Sequence, residues 1–392
     1  MKTLSTSLLC AAIAMASQSA TATEQEWQST LDLRYRFELV DQDGFDNDAN
    51  ASTLRLRAGL SSPEWSGFSF GAMVHANRSV LSSSFNSTAN GKTQYPVVAD
   101  PDDENLSHAW VRYRAGEHFQ TTIGRQRIIE DNHRFIGHVG FRQLEQTFDA
   151  VTLGWQPAAD WQVDLRYLDK AHRIFGPDNP NPLLAEADLD AWMGTVTHSL
   201  DDAVIAFYAH RLVFDDRPAS HRNLGGRMTG SLPGDRNLGY RIEYARQQGL
   251  RELSSMSGQN YIHLRLNQRL DQWHWFAGHE RLEGDGQYAF QTPLATLHAH
   301  NGWSDQFLTT PADGLVDTYV AAGTALGRWN GLIKVHNFRS DHASRTYGNE
   351  YGAMISRSLP ASLAFEAKFA WFDASGERND VAKLWLTLTG SW

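Results

Sequence analysis

Polar and apolar residues alternate with a period of two along most of this chain, beginning at Trp27. Leu31, Leu33, Tyr35, Phe37 and Leu39 fall on one side of an extended backbone; Gln28, Asp32, Arg34, Arg36 and Glu38 fall on the other. An amphipathic helix would repeat every three or four residues, so this pattern specifies β-strands. It returns as Leu54, Leu56 and Leu60 against Arg55 and Arg57, as Val111 and Tyr113 against Arg112 and Arg114, and as Trp161, Val163, Leu165 and Tyr167 against Asp164 and Arg166. Periodicity alone does not say which face is wet.

Spacing and aromatic placement settle that point in favour of a membrane. Tight turns at 61–67, 115–118, 156–160 and 327–331 alternate with long polar loops at 78–104, 125–146, 171–186 and 282–313. Short turns on one side and long loops on the other mark outer-membrane barrels, whose strands turn apolar residues to lipid and polar ones to the lumen. Trp27, Trp65, Trp155, Trp161, Trp273 and Trp329 sit beside the short turns, as an interfacial girdle requires. The mean hydropathy of -0.45 fits strands that present only every second residue to lipid.

The expected fold is therefore an all-β transmembrane antiparallel barrel. Strand starts fall near residues 27, 52, 68, 105, 118, 147, 161, 187, 203, 222, 237, 259, 272, 315, 331, 349, 362 and 381, which gives 18 strands. Strand three and strands eight to ten, around Asp188 to Gly230, carry apolar residues on both faces; sixteen strands is the alternative count. Either number encloses an aqueous channel rather than a packed interior. The final strand places Leu384, Leu386, Leu388, Gly390 and Trp392 on one face, and Leu386, Leu388, Gly390 and Trp392 are expected to form the signal recognised by a barrel-assembly machinery.

Residues 1–22 have the form of a secretory signal peptide: Lys2, an apolar run from Leu8 to Ala16, then small residues Ala20 and Ala22 at a cleavage site. The single cysteine, Cys10, lies inside it, so no disulfide framework holds the rest of the chain, 23–392, which reads as one domain. These features place the protein in the outer membrane, with lipid and lipopolysaccharide around it and no nucleic-acid partner.

Sorting the strand faces puts more bases than acids in the lumen. The bases are Arg34, Arg36, Arg55, Arg57, Arg112, Arg114, Arg166, Lys170, Arg211, Arg227, Arg241, Arg265, Lys334, Lys368 and Lys383. The acids are Asp32, Glu38, Asp164, Asp188, Asp190, Glu243, Glu280, Asp317, Glu350 and Glu366. The whole chain carries a formal charge of -10, with the excess acid in loops such as Asp41 to Asp48 and Asp100 to Glu104. A basic tube concentrates anions, and arginine forks match carboxylates. Salt limits the reach of such charges to about 8 Å, so selection needs a constriction. Residues 124–149, with Arg125, Arg127, Arg134 and Arg142, are the candidate constriction.

That segment resembles the signature of the alginate-export family of outer-membrane proteins: a G-R-Q stretch (Gly124 to Gln126), an R-x-I-G step (Arg134 to Gly137) and a Q-T-F-D-A close (Gln146 to Ala150). The resemblance implies an eighteen-stranded porin that passes an acidic, alginate-like polysaccharide or oligosaccharide through an arginine-rich constriction, with no cofactor. Two other readings are an uptake porin for small anionic solutes and a barrel enzyme. His298 to His300 and the pair His279 and Glu280 are the obvious clusters for catalysis, but neither has the H-E-x-x-H spacing of a zinc site, and no G-x-S-x-G occurs. No enzymatic activity is expected.

Overall fold

A strand with one apolar face needs lipid or a partner for that face, and pairing partners for both of its edges. Here closure supplies the edges. The computed structural model describes residues 26–232, 234–376 and 378–392. The expected signal peptide, 1–22, lies outside the described residues.

Among them, 18 strands form one closed antiparallel sheet. They are β1 (Gln28–Gln42), β2 (Ala49–Ser61), β3 (Phe68–Ser84), β4 (Asp103–Ala115), β5 (Phe119–Gln126), β6 (Thr147–Ala158), β7 (Trp161–His172), β8 (Glu186–Ser199) and β9 (Ala203–Phe214). Then follow β10 (His221–Leu232), β11 (Asp235–Gly249), β12 (Gln259–Leu270), β13 (Trp273–Leu282), β14 (Leu315–Leu326), β15 (Trp329–Arg339), β16 (Thr346–Leu359), β17 (Leu363–Ala374) and β18 (Val381–Ser391). Each strand pairs with its sequence neighbours, and β1 also pairs with β18. Leu31 and Trp392 exchange backbone hydrogen bonds of 2.8 Å at that seam.

The outer surface is apolar and carries the girdles that lipid interfaces select. Trp27, Trp65, Trp155, Trp161, Trp273 and Trp329 are all exposed on the outside near the short turns. Trp27 packs on Trp65 and Phe70, with ring centroids 6.0 and 5.4 Å apart. Nearer the long loops a second set appears, with Tyr167 against Trp192 at 4.9 Å and Tyr351 against Trp371 at 5.5 Å. Six residues separate Trp161 from Tyr167 along β7, roughly 20 Å of extended chain.

The interior differs from the expected open tube. Three loops, 85–102, 127–146 and 283–314, fold into the barrel from the long-loop rim, and their apolar residues pack against the inner wall. Phe85, Val98, Phe135, Phe290 and Phe307 from the loops join Tyr208, Tyr261, Phe338 and Phe372 from the strands. Ile128, Ile136 and Leu294 join Leu168, Leu189, Met193, Leu212 and Phe214. Each such side chain contributes about 2 kcal/mol on burial. The loop half of the barrel is thus a packed core, and the turn half stays polar.

This core explains why β8 and β9 look apolar on both faces, and it corrects the face assignment there. The inner face of β8 is Ala187, Leu189, Ala191 and Met193, all buried, so Asp188 and Asp190 share the outer face with Trp192, which is 58% exposed. Arg211 pairs in register with Trp192 and also points outward. Lys170 is turned outward by the register shift between Leu168 and Lys170, where it meets Glu186 at 2.7 Å and Asp188 at 3.0 Å. Lys170, Arg211, Asp188 and Asp190 therefore do not face the lumen.

Candidate functional site

The hairpin of β1 and β2 places Arg34 directly opposite Arg55, and Arg57 opposite Asp32, on the inner face. Like charges so close need compensation. Arg55 is fully buried and ion-paired with Asp32. Arg34 instead donates from Nη1 to the backbone carbonyls of Gly140 at 3.0 Å and Phe141 at 3.1 Å in the loop of 127–146. Arg36 donates to the same Phe141 carbonyl at 2.5 Å and lies 4.3 Å above the Phe141 ring. The wall arginines thus hold the loop tip across the channel.

The loop answers with charges of its own. Arg142 donates to both carboxylate oxygens of Glu38, at 3.0 and 3.3 Å, and lies 3.1 Å from Asp305 of the loop 283–314. Glu145 receives Arg127 at 2.6 Å, His108 at 3.0 Å and Arg57 at 3.6 Å. Burial works against that carboxylate, yet the basic groups around it hold it well below the usual range. Glu130 accepts Thr195 at 2.5 Å and meets His210 at 3.2 Å. Its burial is outweighed by His210 and Arg166, and its pKa falls to about 2. Arg134 is buried beside Glu280 at 3.2 Å.

The three short motifs of the 124–149 segment acquire a structural meaning. Gly124 has φ of 114°, and a Cβ there would collide with the Ala109 carbonyl. Gln126 donates across to the Ala150 carbonyl at 3.1 Å. At Gly137 a Cβ would sit 2.2 Å from Thr296 Oγ1, because here the two inner loops touch. Gly137 N–H donates to the Leu294 carbonyl at 2.9 Å, and Gln146 Nε2 donates to the carbonyls of Gly137 at 2.8 Å and Leu294 at 3.0 Å.

Not every expected site residue lies on this inner loop or beside it. Arg125 belongs to β5, not to the loop, and its side chain lies on the outer face with Ile123, which is 56% exposed. There it pairs with Asp149 at 2.8 Å. Residues 124–126 and 147–149 are strand ends, so the stretch that folds into the barrel is the shorter 127–146. Arg112 and Arg114 lie at the turn end of the lumen. Arg114 borders two cavities of about 510 and 480 Å³, and Arg112 borders the second. Arg114 pairs with Glu64 at 3.3 Å.

Sequence sorting missed the role of aromatic rings behind lumenal cations. Arg112 lies 4.5 Å over Trp110, Arg265 lies 4.3 Å over Phe276, and Lys368 lies 4.1 Å over Phe141. Lys334 stands 5.6 Å from both Trp303 and Tyr319. The signal was available in the alternation of aromatic and basic inward positions. The clusters weighed for catalysis come apart: Glu280 points inward to Tyr261 at 2.7 Å, whereas its neighbour His279 is exposed and bonds Thr318. His298 bridges Asp305 and Lys368, and His300 bonds the Asn132 carbonyl.

A closed barrel of 18 strands with lipid-facing girdles and loops folded into its mouth is an outer-membrane channel of the porin class. Residues 26–295 match the family described as alginate export, and the chain belongs to that family. No curated protein matches the chain in sequence. Solved structures with the same fold include Pseudomonas aeruginosa OpdO, with TM-score 0.72 and 14% identity over 94% of this chain and 97% of that one. Pseudomonas aeruginosa OccK9 (OpdG) superposes with TM-score 0.74 and 11% identity over 93% and 98%. OpdK of the same organism, solved with vanillate, gives TM-score 0.72 and 10% identity over 93% and 99%.

Proposed function

We propose that the barrel is an anion-selective channel for acidic saccharides of the uronate type. One observation carries this reading. Among the described residues, the lumenal cations Arg34, Arg36, Arg112, Arg265, Lys334 and Lys368 have no carboxylate within the 4.0 Å of an ion pair. All but Arg34 are backed by aromatic rings instead. A ring stabilises a cation through its quadrupole but does not cancel its charge, so the lumen keeps a positive field. Asp164, Glu350 and Glu366 likewise lack an ion-pair partner among the described residues, and Asp317 meets only His336, but they are fewer.

Packing of the inner loops favours small cargo. With Ile136 and Leu294 fully buried where the two loops meet, the loop half of the barrel has little free cross-section, which suits monomers and short oligomers better than a folded polymer. A channel for small organic anions is therefore the second reading, and either direction of flux suits the geometry. Planar-bilayer recording separates these cases. A salt gradient should give a reversal potential favouring chloride over potassium, and short uronate oligomers should block the current. A cation preference in the wild type would remove the physical basis of the proposal; block by small carboxylates alone would favour the second reading.

A further inference from the structure

The outer face near the long-loop rim carries an arginine cluster that the channel does not use. Arg222 of β10 stands in register opposite Arg211 of β9. On its other side Arg222 faces Gln248 of β11, and Arg246 of β11 faces Leu224, two residues along β10 from Arg222. The three arginines thus stand on neighbouring strands of the outer face at one level of the barrel. All three residues are exposed, on the same face as Leu224 and Phe207, which are 69% and 67% exposed. Arg211 pairs with Asp190 at 2.9 Å. Among the described residues, Arg222 donates only to the Gln248 amide oxygen, at 2.9 Å through Nε, and Arg246 only to the Asn260 amide oxygen at 3.1 Å.

We propose that Arg222 and Arg246, flanked by Arg211, bind a phosphate group of the lipopolysaccharide headgroup in the outer leaflet. The height of the cluster supports this. Arg222 is the second residue of β10, and Arg246 lies three residues before the end of β11, so both sit at the rim of the apolar belt. Just below them Leu224, Ile242 and Phe207 offer an apolar surface to acyl chains. Arginine forks bind phosphate through paired charge-assisted hydrogen bonds, and at a membrane interface the charge is screened less than in bulk water. Other outward bases on this rim are satisfied by carboxylates, as Arg125 is by Asp149 and Arg281 is by Asp341, and Arg339, which bonds the Asn337 amide, stands alone among the described residues rather than in a cluster. Amide partners leave the charge of Arg222 and Arg246 uncompensated, which is the condition an anionic headgroup fits.

The test uses the full-length barrel purified in detergent and incubated with lipopolysaccharide, with retained lipid measured after gel filtration. The Arg222→Ala, Arg246→Ala double variant should retain severalfold less than wild type, whereas Arg125→Ala should retain as much. Dephosphorylated lipopolysaccharide should bind wild type as weakly as native lipopolysaccharide binds the double variant. Heat-modifiable migration on gels checks that each variant is folded. Equal retention by a folded double variant would overturn the proposal. So would displacement of native lipopolysaccharide by millimolar inorganic phosphate, since that would assign the cluster to free phosphate rather than to a lipid headgroup.

Discussion

Arg142 and Glu38, 104 residues apart in sequence, meet inside the barrel through hydrogen bonds from one guanidinium nitrogen to both carboxylate oxygens. The pair ties the tip of the 127–146 loop to β1. Removing one partner of a buried pair costs about 3 to 5 kcal/mol, because the other charge is left stranded. Yet Phe135 and Ile136 keep the rest of the loop buried. Arg142→Ala should therefore loosen the tip at residues 139–143 without expelling the loop. Single-channel recordings should show larger, noisier current from a barrel of normal heat stability; unchanged current would mean that Arg34 and Arg36 hold the tip unaided.

The lipid face gives a contrast within one strand. Leu388 points outward, in register with Tyr35 and Phe365, whereas Thr387 points inward and accepts a hydrogen bond from Arg36. An aspartate at the lipid face costs on the order of 2 kcal/mol. Leu388→Asp should reduce membrane-inserted, heat-modifiable protein, and Thr387→Asp should not, because its charge would face Arg36. Equal losses from both would show that this strand tolerates no charge on either face.

Topology has a direct check. Gly91 lies in the loop 85–102 and Gly116 in the short turn after β4, and at both a Cβ meets nothing within 4 Å. A peptide tag at Gly91 should label on intact cells, and one at Gly116 only after permeabilisation. The reverse labelling would invert the barrel in the membrane.

Most of the barrel was legible because period two and turn spacing are local: every expected strand start lies within about three residues of the observed one. The inner loops were not legible, since partners such as Arg142 and Glu38 are distant in sequence. That gap misled the sorting of faces. The rule that polar residues face inward holds only where the lumen is wet, and it fails at Asp188, Asp190 and Arg211, whose strands turn Leu189, Met193 and Leu212 inward against Ile136 and Leu294. Lys170 escaped because a register shift after Leu168 leaves no mark in composition. The family motifs mark a segment that folds into the barrel, where Gly137 and Gln146 join it to the loop 283–314.

Selectivity should follow the corrected faces rather than arginine content. Arg34 and Arg36 face the lumen without a carboxylate, whereas Arg125 faces outward and is neutralised by Asp149. Arg34→Glu, Arg36→Glu should weaken or invert the chloride preference in a salt gradient, while Arg125→Gln should leave it unchanged. Because both wall arginines also hold the Phe141 carbonyl, Arg34→Lys, Arg36→Lys is the companion variant. It keeps the charge, so its preference should remain anionic even if loop contacts weaken. A loss of selectivity in the lysine variant would mean that loop position, not charge, selects the ion.

Acid should loosen the second inner loop, and the sign follows from His298. Its Nδ1 lies 2.8 Å from Asp305 and its Nε2 lies 3.0 Å from Lys368, with Phe141 stacked at 3.5 Å. Lys368 donates, so Nε2 must accept and the ring is neutral with its proton on Nδ1. Burial lowers this histidine from 6.5 to about 3, with Lys368 and Arg142 acting in the same direction against Asp305. Asp305 is itself held low, since His298, Lys383 and Arg142 outweigh its burial. Both groups bind protons less readily in the docked loop than in a released one. Docking is therefore at full strength above pH 6.5 and weakens as pH falls toward 3. Current through the wild type should become larger and noisier over that window. His298→Gln, which cannot take up a proton, should show less of the change between pH 6.5 and 4. The same acid response in His298→Gln as in wild type would assign the release to other groups.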